Sequence, residues 1–209
     1  MKISASYLGI RDDFSNNIIK LDNSNIDYIH MDIMDGLFVN NKTMDTKLLY
    51  TLLKNTNKPK DIHLMVNNIK EYVDNYMIFN PTFITIHLEA SVNIMDDINY
   101  IKSKNVGVGL SIKPNTNISD LYPFLPYIDQ VLIMSVEPGY GGQEFIPTTI
   151  DKINKLVKYR EENDLGFIIS VDGGINERNI RNINSDMVVV GTFITNNTNY
   201  NEQIEKLKI

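Results

Sequence analysis

Asp27-Tyr-Ile-His30-Met-Asp32-Ile-Met-Asp35-Gly36 is a short β-like apolar run that closes on a histidine and a carboxylate. Two further runs end on a histidine, Asp61-Ile-His63-Leu-Met65 and Ile84-Thr-Ile-His87-Leu-Glu89, and a fourth, Phe167-Ile-Ile-Ser-Val-Asp172-Gly-Gly174, ends on a carboxylate. The chain has no histidine outside these runs. Imidazole is a common metal ligand and proton carrier near neutral pH. Placing every copy at a strand terminus points to a site rather than to random surface use.

Strand-like and helix-like segments alternate along the whole chain, with no linker, charge block or low-complexity tract. The strand candidates are Lys2–Leu8, Tyr28–Ile33, Asp61–Val66, Phe83–Leu88, Val106–Ile112, Gln130–Val136, Phe167–Val171 and Met187–Val190. They are short and rich in Ile and Val, as expected of strands buried on both faces. Helix patterns lie between them, most clearly over Asp45–Lys54, Ile69–Phe79, Val92–Lys104 and Thr148–Asn163. Pro147 suits the start of the last. Leu121–Ile128 is a weaker pattern because Pro123 and Pro126 interrupt it. Eight strands, each followed by a helix-sized segment, read as βαβ repetition. The expectation is an α/β fold, a (β/α)8 TIM barrel, with residues 1–209 as a single barrel domain. The alternative is an open doubly wound sheet, which the strand count and the lack of a Gly-rich fingerprint after the first strand disfavour. In such a barrel, functional residues sit at the C-terminal ends of strands, where the histidines fall without adjustment.

The 209 residues suffice for a sizeable core, and the absence of cysteine excludes disulfides and thiolate metal sites. The formal net charge of −6 argues against non-specific nucleic-acid binding. No apolar stretch approaches the roughly 18 to 20 residues that span a bilayer, and the N-terminus lacks the long apolar region of a signal peptide. A cytoplasmic protein with no membrane or nucleic-acid partner is expected. The many asparagines read as solvated polar filler.

His30 and Asp32 stand at i and i+2 of one strand, so both point to the same face. His63 ends the neighbouring strand, and Asp172 ends the seventh, across the barrel. Two imidazoles and two carboxylates on one cavity suit a divalent transition metal such as Zn, Fe, Mn or Co. His87 reads either as a group that orients a ligand or as a structural residue bonded to Glu89. Ser135-Val-Glu-Pro-Gly139-Tyr140-Gly141-Gly142-Gln143 forms a Gly-rich loop after strand six. Gly173-Gly174 and Gly191-Thr192 add more glycines after strands seven and eight, where barrels commonly hold phosphate. A phosphorylated small molecule is the favoured ligand. Met34, Met65 and Met134 cluster at strand ends, either as core or as an apolar lining that excludes water from a reactive intermediate.

These motifs resemble the ribulose-phosphate 3-epimerase family. The likeness is carried by Lys2-Ile-Ser-Ala-Ser6, His30-Met-Asp-Ile-Met-Asp-Gly-Leu-Phe-Val39, Asp61-Ile-His-Leu-Met-Val66, His87-Leu-Glu-Ala90, Gly109-Leu-Ser-Ile-Lys-Pro114, Met134-Ser-Val-Glu-Pro-Gly-Tyr-Gly-Gly-Gln143 and Val171-Asp-Gly-Gly174. The resemblance implies a metal-dependent (β/α)8 barrel, usually a homo-oligomer, that interconverts D-ribulose 5-phosphate and D-xylulose 5-phosphate in the pentose phosphate pathway. It implies one divalent cation held by His30, Asp32, His63 and Asp172. Asp32 and Asp172 would be the catalytic acid/base pair, exchanging the C3 proton through a cis-enediolate. Substrate would be bound by Ser6, His63, Gly139, Tyr140, Gly141, Gly142, Gly173, Gly174, Gly191 and Thr192. The chain departs from the family pattern at Gly9-Ile10-Arg11, at Asn40 in place of proline, at Thr192 in place of the commoner serine, and in a short segment between strands seven and eight. None of these removes a ligand or a carboxylate. The related allulose-6-phosphate 3-epimerases use the same constellation and are an alternative. A phosphate-binding barrel lyase is disfavoured, because its Asp-x-Lys-x-x-Asp strand motif has methionine here where the lysine would stand. A non-catalytic sugar-phosphate-binding barrel should have lost a carboxylate or histidine, and none is missing.

Overall fold

The computed structural model of the chain describes residues 1–10 and 12–208. Arg11, part of one departure noted above, lies outside the described residues. Eight parallel strands pair in chain order: β1 (Lys2–Ser6), β2 (Tyr28–Met34), β3 (Lys60–Met65), β4 (Pro81–His87), β5 (Gly107–Ile112), β6 (Gln130–Met134), β7 (Ile168–Asp172) and β8 (Met187–Val190). β8 pairs back onto β1, with Lys2 opposite Met187 and Ala5 opposite Val190, so the sheet closes into a barrel. The expected eight strands are all present.

The strands are buried on both faces, but the two faces differ in chemistry. Along β2, Ile29, Met31 and Ile33 join the large apolar cluster shared with helix residues such as Leu49 and Leu53. The alternate residues His30 and Asp32 point the other way, into the barrel. β3 repeats this, with Ile62 and Leu64 in the apolar cluster and Asp61 and His63 bonded inside. Most of the Ile and Val content therefore reports the outer face, while a smaller apolar cluster of Leu132, Met134, Val136 and Val189 lies apart from it. The interior is polar on the side of β2 and β3, where Ser4 and Gln130 reach across to Asp61.

The α-helices are α1 (Phe14–Asp22), α2 (Thr46–Leu53), α3 (Ile69–Tyr76), α4 (Ile94–Lys102), α5 (Thr149–Glu162), α6 (Thr192–Thr195) and α7 (Tyr200–Leu207). The weaker helix pattern over Leu121–Ile128 is corrected, and two of the connecting segments hold no α-helix. After β5 the chain forms only two 3-10 turns, Ile118–Leu121 and Leu125–Tyr127. Pro123 and Pro126 lack the N–H groups that a longer helix needs there. After β7 there is one 3-10 turn, Ile180–Asn182. The asparagines are not only filler. Asn93 and Asn199 cap α4 and α7 by accepting the N–H of Asp96 and Glu202. Asn80 and Asn105 take positive φ of 50° and 59° at turns, a conformation that asparagine tolerates better than most residues.

Candidate active site

Strand register decides which side chains meet. Ser6 lies opposite His30, His30 opposite Asp61, and Asp32 opposite His63. β7 stands three strands round from β2 through β1 and β8, and brings Asp172 to the same mouth. His30, Asp32, His63 and Asp172 each offer a ligand atom, and these atoms lie within 4.8 Å of one another. Asp32 Oδ1 is 3.4 Å from His30 Nε2 and 3.3 Å from His63 Nδ1. Asp172 Oδ2 is 4.0 Å from each of the same two nitrogens. Among the described residues no other group of three or more His, Asp or Glu side chains converges in this way.

The cluster fits a divalent cation. Ligands about 2.0–2.2 Å from a tetrahedral centre lie about 3.4 Å apart, which matches the two Asp32 separations and is somewhat shorter than the two Asp172 ones. His30 Nε2 is fully buried and has no hydrogen-bond partner, an orphan that folded proteins rarely tolerate without a use. Its ring is fixed from behind, since Nδ1 is 2.8 Å from Asp61 Oδ2. A carboxylate behind a ligating imidazole is the usual orienting device of metal sites.

The two aspartates at the mouth are not equivalent. Burial alone would raise both. For Asp32, the adjoining His30 and His63 overcome burial and hold the carboxyl far below its ordinary value. Ser6 adds a hydrogen bond, its Oγ donating to Asp32 Oδ2 at 2.6 Å while accepting the Leu8 N–H. For Asp172, burial and then the charge on Asp32 push the carboxyl up to about 7, against the pull of His30. One carboxyl is thus held low and its neighbour pushed up, so the two differ in how readily they release a proton. Burial lowers His63 and His87, the latter to about 4, whereas Asp32 and Asp61 raise His30 against burial.

A cavity of about 270 Å³ opens above the cluster, near the small end of the range for ligand pockets. Ser6, Asp32, Asp172 and all the expected glycines, with Tyr140 and Thr192, line it. Met65 and Met134 wall it, whereas Met34 is buried away from the lining. His30 and His63 are completely buried and do not line the cavity, so His63 belongs with the ligand cluster more than with the substrate-facing wall. Gly173 and Gly174 take φ of +122° and +66°, and a Cβ on Gly174 would run into the backbone of Phe145. This is close approach of backbone to a cavity that only glycine allows.

Several residues outside the expected set support the site. Asp61 orients His30 and in turn accepts from Ser4 Oγ at 2.9 Å. Its sequence signal is the pair Asp61-x-His63, the same i, i+2 spacing as His30-x-Asp32. Ser135 Oγ lies 2.8 and 2.7 Å from the carbonyl oxygens of Asp172 and Gly173, pinning the turn that carries the acid. Asn176 lines the cavity beside the glycines. Asn41 Nδ2 donates to the Gly139 carbonyl, tying the loop after β2 to the Gly-rich loop.

A model of the ribulose-phosphate 3 epimerase family matches residues 2–195. The ribulose-phosphate 3-epimerase of Treponema pallidum is 34% identical over 184 residues, covering 87% of this chain and 84% of the relative. That of Helicobacter pylori is 32% identical over 212 residues, covering 100% and 97%. Among solved structures, KGPDC from Streptococcus mutans superposes with a TM-score of 0.69 at 14% identity, covering 99% of this chain and 94% of that one. The 3-hexulose-6-phosphate synthase of Salmonella typhimurium gives 0.67 at 15% identity, covering 99% and 96%. At such identity the structural likeness speaks to the barrel alone.

Proposed function

The chain belongs to the ribulose-phosphate 3-epimerase family, isomerases that act on a sugar phosphate, and we propose that it interconverts D-ribulose 5-phosphate and D-xylulose 5-phosphate. The observation that carries this reading is the pair of carboxylates at one cavity mouth, Asp32 and Asp172, whose facing oxygens lie within 4.8 Å of each other and whose surroundings push them apart, Asp32 down and Asp172 up to about 7. Environments that push two acids apart in this way assign a base and an acid. Inverting a carbon centre needs both.

Asp32 takes the C3 proton from one face of the substrate. Asp172 delivers its own proton to C3 from the other face, and the centre is inverted. Each turnover leaves Asp32 protonated and Asp172 ionised, which is the state the reverse reaction starts from. Ser6, donating to Asp32, keeps the base aimed and gives up that bond as the carboxylate is neutralised. Met65 and Met134 keep the wall beside the reacting carbons apolar and water-poor. The backbone at Gly139–Gly142, Gly173–Gly174 and Gly191–Thr192 cradles the phosphate, offering N–H groups to an anion in a chain that is acidic overall. A divalent cation (Zn, Fe, Mn or Co) held by His30, Asp32, His63 and Asp172 would supply the Lewis acidity that makes the C3 proton removable. Homo-oligomeric assembly, a cytoplasmic setting and a single working domain belong to the same proposal and rest on the family alone. Among the described residues no helix is long and apolar enough to cross a membrane.

The test is solvent exchange. Metal-stripped protein reloaded with single cations should wash deuterium from D2O into C3 of ribulose 5-phosphate, followed by NMR. Faster exchange into allulose 6-phosphate would move the assignment to the hexose, and no exchange into either would remove the epimerase reading.

A further inference from the structure

His63 and His87 present like atoms to each other: Nε2 of one is 2.9 Å from Nε2 of the other. Such a contact is a hydrogen bond only if one nitrogen carries a proton and the other does not. We infer that Glu89, acting through His87, settles that choice and so fixes which nitrogen of His63 bears the lone pair facing Asp32 and Asp172. The inference rests on reading His63 as a metal ligand and names the residues that keep it one.

The order of bonds runs inward from Glu89. Glu89 Oε1 accepts the backbone N–H of Lys113 at 2.7 Å and the hydroxyl of Thr116. Those donors and His87 overcome the burial that would raise the carboxyl, holding it at about 2. An ionised carboxylate only accepts. Its Oε2, 3.1 Å from His87 Nδ1, therefore requires the proton of His87 on Nδ1. A neutral His87 then has a bare Nε2, which requires Nε2–H on His63. His63 Nδ1 is left as a lone pair aimed into the cluster.

The opposite order has an attraction of its own, since Nδ1–H on His63 could donate to Asp32 at 3.3 Å. Each order sets one bare nitrogen against a carboxylate, His87 Nδ1 against Glu89 at 3.1 Å or His63 Nδ1 against Asp32 at 3.3 Å. The shorter contact is the costlier one, and a cation in the cluster would relieve only the second, so the order set by Glu89 is favoured. The relay is sealed: His63 and His87 are completely buried, and Phe38 covers the His87 ring at 4.8 Å between centroids. His30 reaches the same end by a shorter route, with Asp61 directly on its Nδ1. The two imidazoles thus present opposite nitrogens to one cluster, each fixed by its own carboxylate. Glu89 is a positioning residue in this scheme and touches neither substrate nor cation.

Glu89→Gln tests the relay sharply. The Lys113 N–H cannot reverse, so it claims the amide oxygen and turns the amide NH2 toward His87. Every bond in the relay then inverts, and His63 points an N–H into the site. Imidazole 15N NMR on the metal-free protein should show His63 protonated on Nε2 in the wild type and on Nδ1 in Glu89→Gln. Titration calorimetry with Zn2+ or Co2+ alone should show affinity falling about 10- to 100-fold. Thr116→Val, which leaves the Lys113 bond in place, should keep the wild-type tautomer and affinity. If Glu89→Gln fails to fold, His87→Phe removes the acceptor on His63 Nε2 and should give the same tautomer shift. An unchanged tautomer, or an affinity within twofold of wild type, would overturn the relay. A wild-type protein that takes up no divalent cation would instead fail the metal-centre reading, and the tautomer measurement still decides for or against the relay.

Discussion

At the residue scale the division of labour between Asp32 and Asp172 is set by neighbours rather than by residue type. Both are aspartates at strand ends, yet His30 and His63 pull one down while burial and the first carboxylate push its neighbour up. Asp172→Asn replaces a neutral acid by a neutral amide of the same shape, so folding should not suffer. Above pH 7 the melting temperature should match or exceed that of the wild type, because the variant never buries the charge. Turnover should fall by about 10²- to 10⁴-fold or more, since the amide has no proton to deliver and is a poorer ligand. A variant retaining more than a tenth of wild-type turnover would contradict the assignment. The i, i+2 spacing of His30 and Asp32 was enough to place both on the inner face from sequence. Asp61 was not legible in the same way, although its spacing to His63 is identical. Its role depends on standing opposite His30 across the β2–β3 register, and register is a property of the closed sheet, not of either strand.

At the element scale the strand ends act through the turns that follow them. Ser6 ends β1 and its hydroxyl accepts the Leu8 N–H, starting the 3-10 turn Tyr7–Gly9 where the apolar pattern runs on to Leu8. The same happens after β4, where His87 ends the strand and Leu88–Ala90 turns to present Glu89. Hydrophobic periodicity cannot see such a stop, because the residues beyond it stay apolar. The strand segments were legible because their outer residues face helices. The shrinking of the connections after β5 and β7 to 3-10 turns was not, because a barrel needs only a connection of sufficient reach there. The turn after β7 carries the sharpest backbone demand at the site, with Gly174 at positive φ against the backbone of Phe145. Gly174→Ala should cost about 1–3 kcal/mol through the strained conformation. It should also raise KM for the sugar phosphate more than it lowers kcat, because the displaced backbone belongs to the proposed phosphate cradle rather than to the carboxylates. A lowered melting temperature with an unchanged KM would place the phosphate elsewhere.

At the scale of the whole molecule, closure of the sheet forces Asp32, Asp61 and Asp172 into one polar interior with only two imidazoles among the ligands to offset them. Without a cation this has a pH cost of definite sign. The Asp172 carboxyl is raised from 3.8 to about 7 in the fold. Its protonated form therefore contributes stability that is full below pH 3.8 and lost as pH rises through about 7. His30, raised above 6.5, contributes in the same sense and loses its contribution as pH rises through its folded value. Asp32 acts oppositely, but its folded value is so low that its contribution is constant across the neutral range. His63 and His87, lowered by burial, act in the opposite sense and recover stability as pH rises through 6.5, so the loss from Asp172 and His30 across pH 6 to 8 in the metal-free barrel is partly offset. A cation competes with the same protons, so it should bind more tightly over the same interval. At about 100 times its dissociation constant a ligand adds about 2.7 kcal/mol, or about 5–11 °C in melting temperature for a chain of this length. The shift produced by a fixed concentration of Zn2+ or Co2+ should therefore grow from pH 6 to pH 8, as read by thermal melts at each pH. A shift that shrinks with rising pH, or one equally large in a variant carrying both His30→Ala and His63→Ala, would mean that the cation sits outside the barrel mouth.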